Sequence, residues 1–221
     1  MAITPDSVSD TVMRLGGLHY FTSQGFGIWQ LFTYMFIHAN FMHLFFNMWG
    51  LLMFGMLIEQ SMGSRRFLFY YISCGFGAAL IQMGVYAITI HQVASHLNHI
   101  EYSYVMQNGW DVMKDGFNYT NPVMGQLNGL INGTTIGASG AIFGILIAVA
   151  MLFPNLPMFI MFIPVPVKAK WMVLGYGIIE LFQGVVRTND GVAHFAHLGG
   201  LLIGFIILLY WKHQYRRNGK F

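Results

Sequence analysis

Three clusters of residues able to do chemistry interrupt the apolar runs of this chain. The first is His38, His43 and Asn47. The second is Gly137-Ala138-Ser139-Gly140, and the third is His194 and His197, followed by Gly199, Gly200 and Gly204. A serine hydroxyl turns nucleophilic when a neighbouring imidazole accepts its proton. Acyl transfer then needs donors aimed at the nascent oxyanion, and a histidine, an asparagine and a serine N–H at a helix start can supply them. His43 and Asn47, four apart, share one helix face. Glu59 falls at the far end of its apolar run and Glu180 in the middle of another. The pattern therefore predicts a Ser–His dyad without a carboxylate. Singly, each residue has a plainer reading: Ser139 as a small residue in a Gly-rich helix contact, Asn47 as an interhelical hydrogen-bonder, His38 as a surface histidine. Their joint occurrence at similar depth in separate segments favours chemistry.

The elements that must hold these groups are apolar. Of 221 residues, 56% are hydrophobic and 9% charged, against about 25% charged in a soluble domain. Lipid is the expected solvent. Runs long enough to cross it lie at Leu31–Ile58, Phe67–Ile90, Ile136–Phe153, Trp171–Val186 and Val192–Trp211. The fold class is thus all-α, a polytopic helical membrane bundle with five predicted transmembrane helices. Glycines at 133, 137, 140 and 144, and again at 200 and 204, would let two such helices approach closely. Met158–Ile163, stopped by Pro164 and Pro166, reads as an interfacial turn.

Eight of the eleven basic residues (Arg65, Arg66, Lys168, Lys170, Lys212, Arg216, Arg217 and Lys220) fall on one side of this arrangement. That side is expected to be cytoplasmic. Arg14, Lys114 and Arg187 fall on the other, with Asp6, Asp10, Glu101, Asp111, Asp115 and Asp190. The division expected is an extracytoplasmic segment at 1–30, a membrane domain at 31–211 with a large extracytoplasmic loop at 91–135, and a basic cytoplasmic tail at 212–221. The N-terminal residues lack a basic region followed by an apolar core, so no cleavable signal peptide is expected. Cys74, a single thiol in an apolar run, reads as a small packing residue.

The motifs His38-x4-His43-x3-Asn47, Gly137-Ala138-Ser139-Gly140 and Ala196-His197-Leu198-Gly199-Gly200 with Gly204 resemble the signature of the rhomboid family of intramembrane serine proteases. Glu59-Gln60-x2-Gly63-Ser64-Arg65-Arg66-Phe67 resembles the family's turn after its second helix. Trp29-Gln30 is similar to the Trp-Arg pair of its first loop, with Gln for Arg. The resemblance spans about residues 18–210. It implies that Ser139 is the nucleophile and His197 the base, with His43 and Asn47 supporting the oxyanion beside Gly137 and His38. It also implies hydrolysis of peptide bonds in or near the transmembrane helices of membrane-protein substrates, in a cell membrane of the bacterial inner-membrane type. The family core has six helices, and here the first is expected to be missing. Phe143 stands where the family often has Tyr, one turn after the serine.

Other classes fit less well. The scattered basic residues form no nucleic-acid stripe. No HExxH motif occurs, and His91, His96, His99 and Glu101 match no metal-ligand spacing. Neither a cofactor nor a metal is expected. A channel would need polar groups lining a path across the whole bilayer, whereas these stop partway. The alternative of a different class is a catalytically inactive rhomboid-like protein that binds transmembrane helices. Oligomeric state is left open.

Overall fold

The computed structural model describes residues 8–159, 165–186 and 192–218. Asp6, Ile163, Pro164, Arg187, Asp190 and Lys220 lie outside the described residues. In chain order the elements are α1 (Val8–Gly16), α2 (Gln30–Thr33) continued by a 3-10 turn (Tyr34–Phe36), α3 (Phe41–Gly50), a π-turn (Leu51–Gly55) and α4 (Met56–Met62). Then come α5 (Ser64–Ala94), α6 (His99–Lys114), α7 (Pro122–Asn132) and α8 (Ser139–Leu152). The strands β1 (Pro157–Phe159) and β2 (Pro166–Lys168), then α9 (Ala169–Val186) and α10 (His194–Asn218), complete the chain. Backbone contacts divide it into two compact units, residues 1–37 with 82–136 and residues 38–81 with 137–221.

In the first unit, the stretch expected as a loop at 91–135 carries two helices. Both have strong local start signals. Asn98 and Glu101 form a capping box at α6, satisfying two orphan backbone donors reciprocally. Asn121 caps α7 at 3.0 Å from the Val123 N–H, with Pro122 at the first helical position, where its missing donor costs nothing. Tyr20, Val93, Val105, Leu127 and Ile131 form the apolar core.

A ladder of side-chain hydrogen bonds lies against that core. Ser23 Oγ donates to Asn132 Oδ1 at 2.7 Å, Asn132 Nδ2 to Asn128 Oδ1 at 2.8 Å, and Asn128 Nδ2 to Asn118 Oδ1 at 3.0 Å. Asn118 and Asn132, which begin the two Asn-x-Thr sequons Asn118-Tyr119-Thr120 and Asn132-Gly133-Thr134, are thus engaged internally. Gln30, fully buried, accepts the His19 N–H through its carbonyl oxygen and donates to Gly25 O at 2.8 Å. An uncharged amide here ties the segment down without burying a cation. The buried His19 ring faces the carbonyls of Asn132 and Arg14, and burial outweighs these bonds to hold its pKa below the ordinary value.

The second unit holds the apolar helices. Among the described residues, three helical stretches are long and apolar enough to cross a membrane: Phe41–Met62, Ser64–Ala94 (which continues into the first unit) and His194–Arg217. The predicted spans at 136–153 and 171–186 correspond to α8, shorter at 14 residues, and to α9, which carries Lys170, Glu180 and Gln183. Phe45, Phe46, Trp49, Leu52, Met53 and Met56 stay exposed, as a lipid-facing side requires.

The first span begins at Phe41 rather than at the expected Leu31. The chain is extended at Asn40, whose side chain caps α3 by accepting the His43 N–H at 2.9 Å. The run from Leu31 is apolar because Leu31, Tyr34 and Met35 are buried in the first unit. The expected turn at 158–163 begins as an antiparallel ribbon pairing Met158 with Val167. Toward the C-terminus, α10 carries its helix through Lys212, Arg216 and Arg217.

Close helix packing in this unit runs through glycine. α8 and α10 pack extensively against each other. A methyl group on Gly200 would collide with the Gly140 carbonyl, and one on Gly204 would lie 3.1 Å from the Gly144 carbonyl. Tyr70, fully buried, donates its hydroxyl to that same Gly144 carbonyl at 2.7 Å. Cys74 is buried against Gly144.

Two substitutions test this packing. Gly200→Ala should force α8 and α10 apart and destabilise the chain by about 1–3 kcal/mol, read as a lowered unfolding midpoint in detergent. Asn128→Ala should leave the Asn118 and Asn132 amides short of a partner, at a cost of about 1–3 kcal/mol. Its signature is faster limited proteolysis confined to residues 96–132.

Candidate functional site

Ser139 is the first residue of α8. Two residues earlier Gly137 adopts φ +117°, a left-handed conformation that favours glycine. This turn delivers the serine to the helix start, where the first N–H groups have no intrahelical acceptor and the helix dipole is positive. His197 lies one turn into α10. The glycine contact of α8 with α10 sets the two side chains against each other, with Ser139 Oγ 2.7 Å from His197 Nε2. Phe143, one turn along α8, stacks on the imidazole with ring centroids 4.4 Å apart and planes 4° from parallel. The hydroxyl fixes one edge of the base and the aromatic ring one face.

On the other edge, the geometry corrects the expectation of a dyad with no carboxylate at hand. Glu180 Oε2, from α9, lies 3.0 Å from His197 Nδ1 and 2.6 Å from His194 Nδ1. The contact to His194 is an aligned hydrogen bond. The contact to His197 is off axis, and Nδ1 of that ring has no aligned hydrogen bond although it is buried. Depth along the sequence misled because Glu180 sits six residues inside α9 and His197 three residues inside α10. At 1.5 Å per residue the difference is roughly 5 Å, which the Glu and His side chains together span. One signal was available: a carboxylate in an apolar helix is costly and needs a named partner.

His43 and Asn47 occupy one face of α3. The Ala39 N–H approaches His43 Nδ1 at 3.3 Å, so this nitrogen acts as acceptor and the neutral ring carries its proton on Nε2. Nε2 borders the Gly137 turn, since a Cβ on Gly137 would lie 2.7 Å from it and 3.8 Å from Ser139 Oγ. Only glycine leaves room there for another atom. Asn47 is buried and donates through Nδ2 to the His43 carbonyl at 2.7 Å; its amide carries a second N–H. His38 falls before α3 rather than within a span, its ring edge-on to His43 at 5.1 Å between centroids. The six site residues named from the sequence (Ser139, His197, His43, Asn47, Gly137 and His38) thus lie in the second unit. His194 faces Glu180 rather than Ser139.

The arrangement combines a serine hydroxyl bonded to an imidazole, a carboxylate behind that imidazole and an N–H donor beside the serine. That set is suited to acyl transfer. The carboxylate favours the tautomer with hydrogen on Nδ1, leaving the Nε2 lone pair for Ser139. Imidazole 15N NMR at neutral pH should show His197 with the proton on Nδ1, and Glu180→Ala should erase that preference. A His197 ring protonated on Nε2 would contradict the assignment.

The sequence profile of the family described as "Rhomboid domain" matches residues 25–214. The chain is 26% identical over 202 residues to "RHOMBOID-like protein 6, mitochondrial" of Arabidopsis thaliana, covering 90% of this chain and 49% of that protein. It is 26% identical over 195 residues to "RHOMBOID-like protein 1" of the same plant, covering 85% and 36%. "Rhomboid-like protein 11, chloroplastic", also from Arabidopsis thaliana, is 24% identical over 201 residues, with 81% and 51% covered. The chain therefore spans about half or less of the length of these relatives. No solved structure matches it.

Proposed function

Because the chain belongs to the rhomboid family, a family of membrane proteins, we propose that it is an intramembrane serine endopeptidase. It hydrolyses peptide bonds in or near the transmembrane helices of other membrane proteins. The observation that carries this reading is the 2.7 Å contact between Ser139 Oγ and His197 Nε2, made across two apolar helices. An inert helix-binding protein would have no use for a serine hydroxyl bonded to an imidazole that is stacked, oriented and buried.

In the proposed reaction His197 Nε2 takes the Ser139 proton as Oγ attacks the substrate carbonyl. The carbonyl oxygen becomes an oxyanion in the space above Gly137. There it meets His43 Nε2–H, the Ser139 N–H and, after a small side-chain movement, Asn47 Nδ2. His197 then passes the proton to the leaving amine, and an acyl-enzyme remains on Ser139. Water activated by the same imidazole releases the acid product. Glu180 stabilises the imidazolium that forms at both steps and stays ionised itself. The positions of the basic residues support a C-terminus on the cytoplasmic side of a cell membrane.

In proteoliposomes carrying a fluorogenic transmembrane substrate, Ser139→Ala and His197→Ala should each abolish cleavage and labelling by a fluorophosphonate probe. His43→Ala should lower kcat by about 10²–10³, the usual cost of one oxyanion donor. Full cleavage by Ser139→Ala would overturn the assignment. Absence of labelling in a folded wild-type chain would favour the helix-binding alternative.

A further inference from the structure

The cluster behind His197 holds more than one carboxylate needs to orient one ring. Glu180, His194 and His197 each offer a ligand atom, and the three atoms lie within 4.8 Å of one another. His194 and His197, three apart on α10, present the same helix face, and α9 supplies the carboxylate opposite them. Two imidazole nitrogens and one carboxylate oxygen are a donor set suited to zinc, with a position open for water. The second observation is His197 Nδ1 itself, which is buried, aimed into this cluster and without an aligned hydrogen bond. Zinc–ligand distances of about 2.0–2.2 Å need ligand atoms roughly 3.3 Å apart. The present separations of 2.6 and 3.0 Å would open by about 0.7 and 0.3 Å, and the two imidazole nitrogens already lie within 4.8 Å of each other.

We propose that Glu180, His194 and His197 form a binding site for Zn²⁺, and that its occupancy switches the catalytic base off. The switching half rests on the hydrolytic reading above. A metal on Nδ1 uses the lone pair of that nitrogen, so the remaining ring proton must sit on Nε2. The imidazole then presents an N–H to Ser139 Oγ instead of a lone pair and cannot take its proton. Losing the metal restores the proton to Nδ1 beside Glu180 and with it the basic Nε2. The pocket thus holds either a proton or a cation, and only the proton leaves a working base. The sequence had pointed to no metal because it directed attention to the loop histidines His91, His96 and His99, not to groups on different helices.

Binding is measured apart from catalysis by titrating ZnCl₂ into the full-length Ser139→Ala chain in detergent, followed by calorimetry. One site is expected, weakened at least tenfold by His194→Ala and by Glu180→Gln, since losing a ligand should cost no less than the roughly 10–100-fold of losing a group that orients one. In the active chain, ZnCl₂ should suppress both substrate cleavage and fluorophosphonate labelling, and EDTA should restore them. Cleavage by His194→Ala, at whatever rate it retains in EDTA, should no longer respond to zinc. No zinc uptake by the Ser139→Ala chain would overturn the site, as would uptake unchanged when both His194 and Glu180 are replaced. Zinc inhibition persisting in His194→Ala would overturn the switch. If labelling fails even in EDTA the hydrolytic reading falls, while calorimetry still decides the site.

Discussion

The contact between α8 and α10 through Gly140, Gly144, Gly200 and Gly204 is the constraint on which the site depends. In lipid no hydrophobic force drives two apolar helices together, so their association rests on close van der Waals packing and interhelical hydrogen bonds. Glycine supplies the first by removing the side chains that would hold the backbones apart. A Cβ on Gly204 would meet the Gly144 carbonyl at 3.1 Å, and the Tyr70 hydroxyl uses the same opening to reach that carbonyl. Ser139 directly precedes Gly140 on α8, and His197 lies one turn before Gly200 on α10. Their 2.7 Å separation follows from the backbone approach. Packing and reactivity therefore share one set of atoms, and a variant that loosens the first also loosens the second.

A second consequence concerns where strain is placed. Gly137 takes its left-handed φ immediately before Ser139. The turn places the start of α8 beside the space that His43 Nε2 borders. Any larger residue at 137 would both resist that backbone angle and fill the space between His43 and the serine. One glycine thus meets a conformational and a steric demand together, whereas those between α8 and α10 meet only a steric one.

Much of this was legible in the sequence because membrane helices announce themselves by composition and their polar interruptions stand out. Ser139, His197, His43 and Asn47 were nameable as groups that lipid would not tolerate idly. The helices of the segment 91–135 were not, because α6 mixes apolar with polar residues and its stability comes from capping by Asn98 and Glu101 and from packing beneath Leu127 and Ile131. The start of the first span was misplaced because an apolar run does not reveal whether it is buried by lipid or by protein. Leu31, Tyr34 and Met35 are buried by protein. Asn40 marks the change, and an N-cap inside an apolar run is a signal that hydropathy alone does not weigh.

Glu180 shows why depth is a poor guide to contact. A residue count along one helix gives position on an axis, but two helices at different heights and tilts bring distant counts to the same level. The sounder inference starts from energy. A carboxylate in an apolar helix must be neutralised by protonation or by a partner, and the imidazoles of the second unit's helices are few: His43, His194, His197 and His213. α10 alone starts close in sequence to the end of α9, and the two histidines in its first turn share one face. Pairing Glu180 with that face satisfies both the buried carboxylate and the imidazole that must stay correctly protonated beside Ser139. The cost of one buried charge and the orientation of one buried base are thereby resolved by a single contact. That economy is why Glu180 belongs to the site although no motif names it.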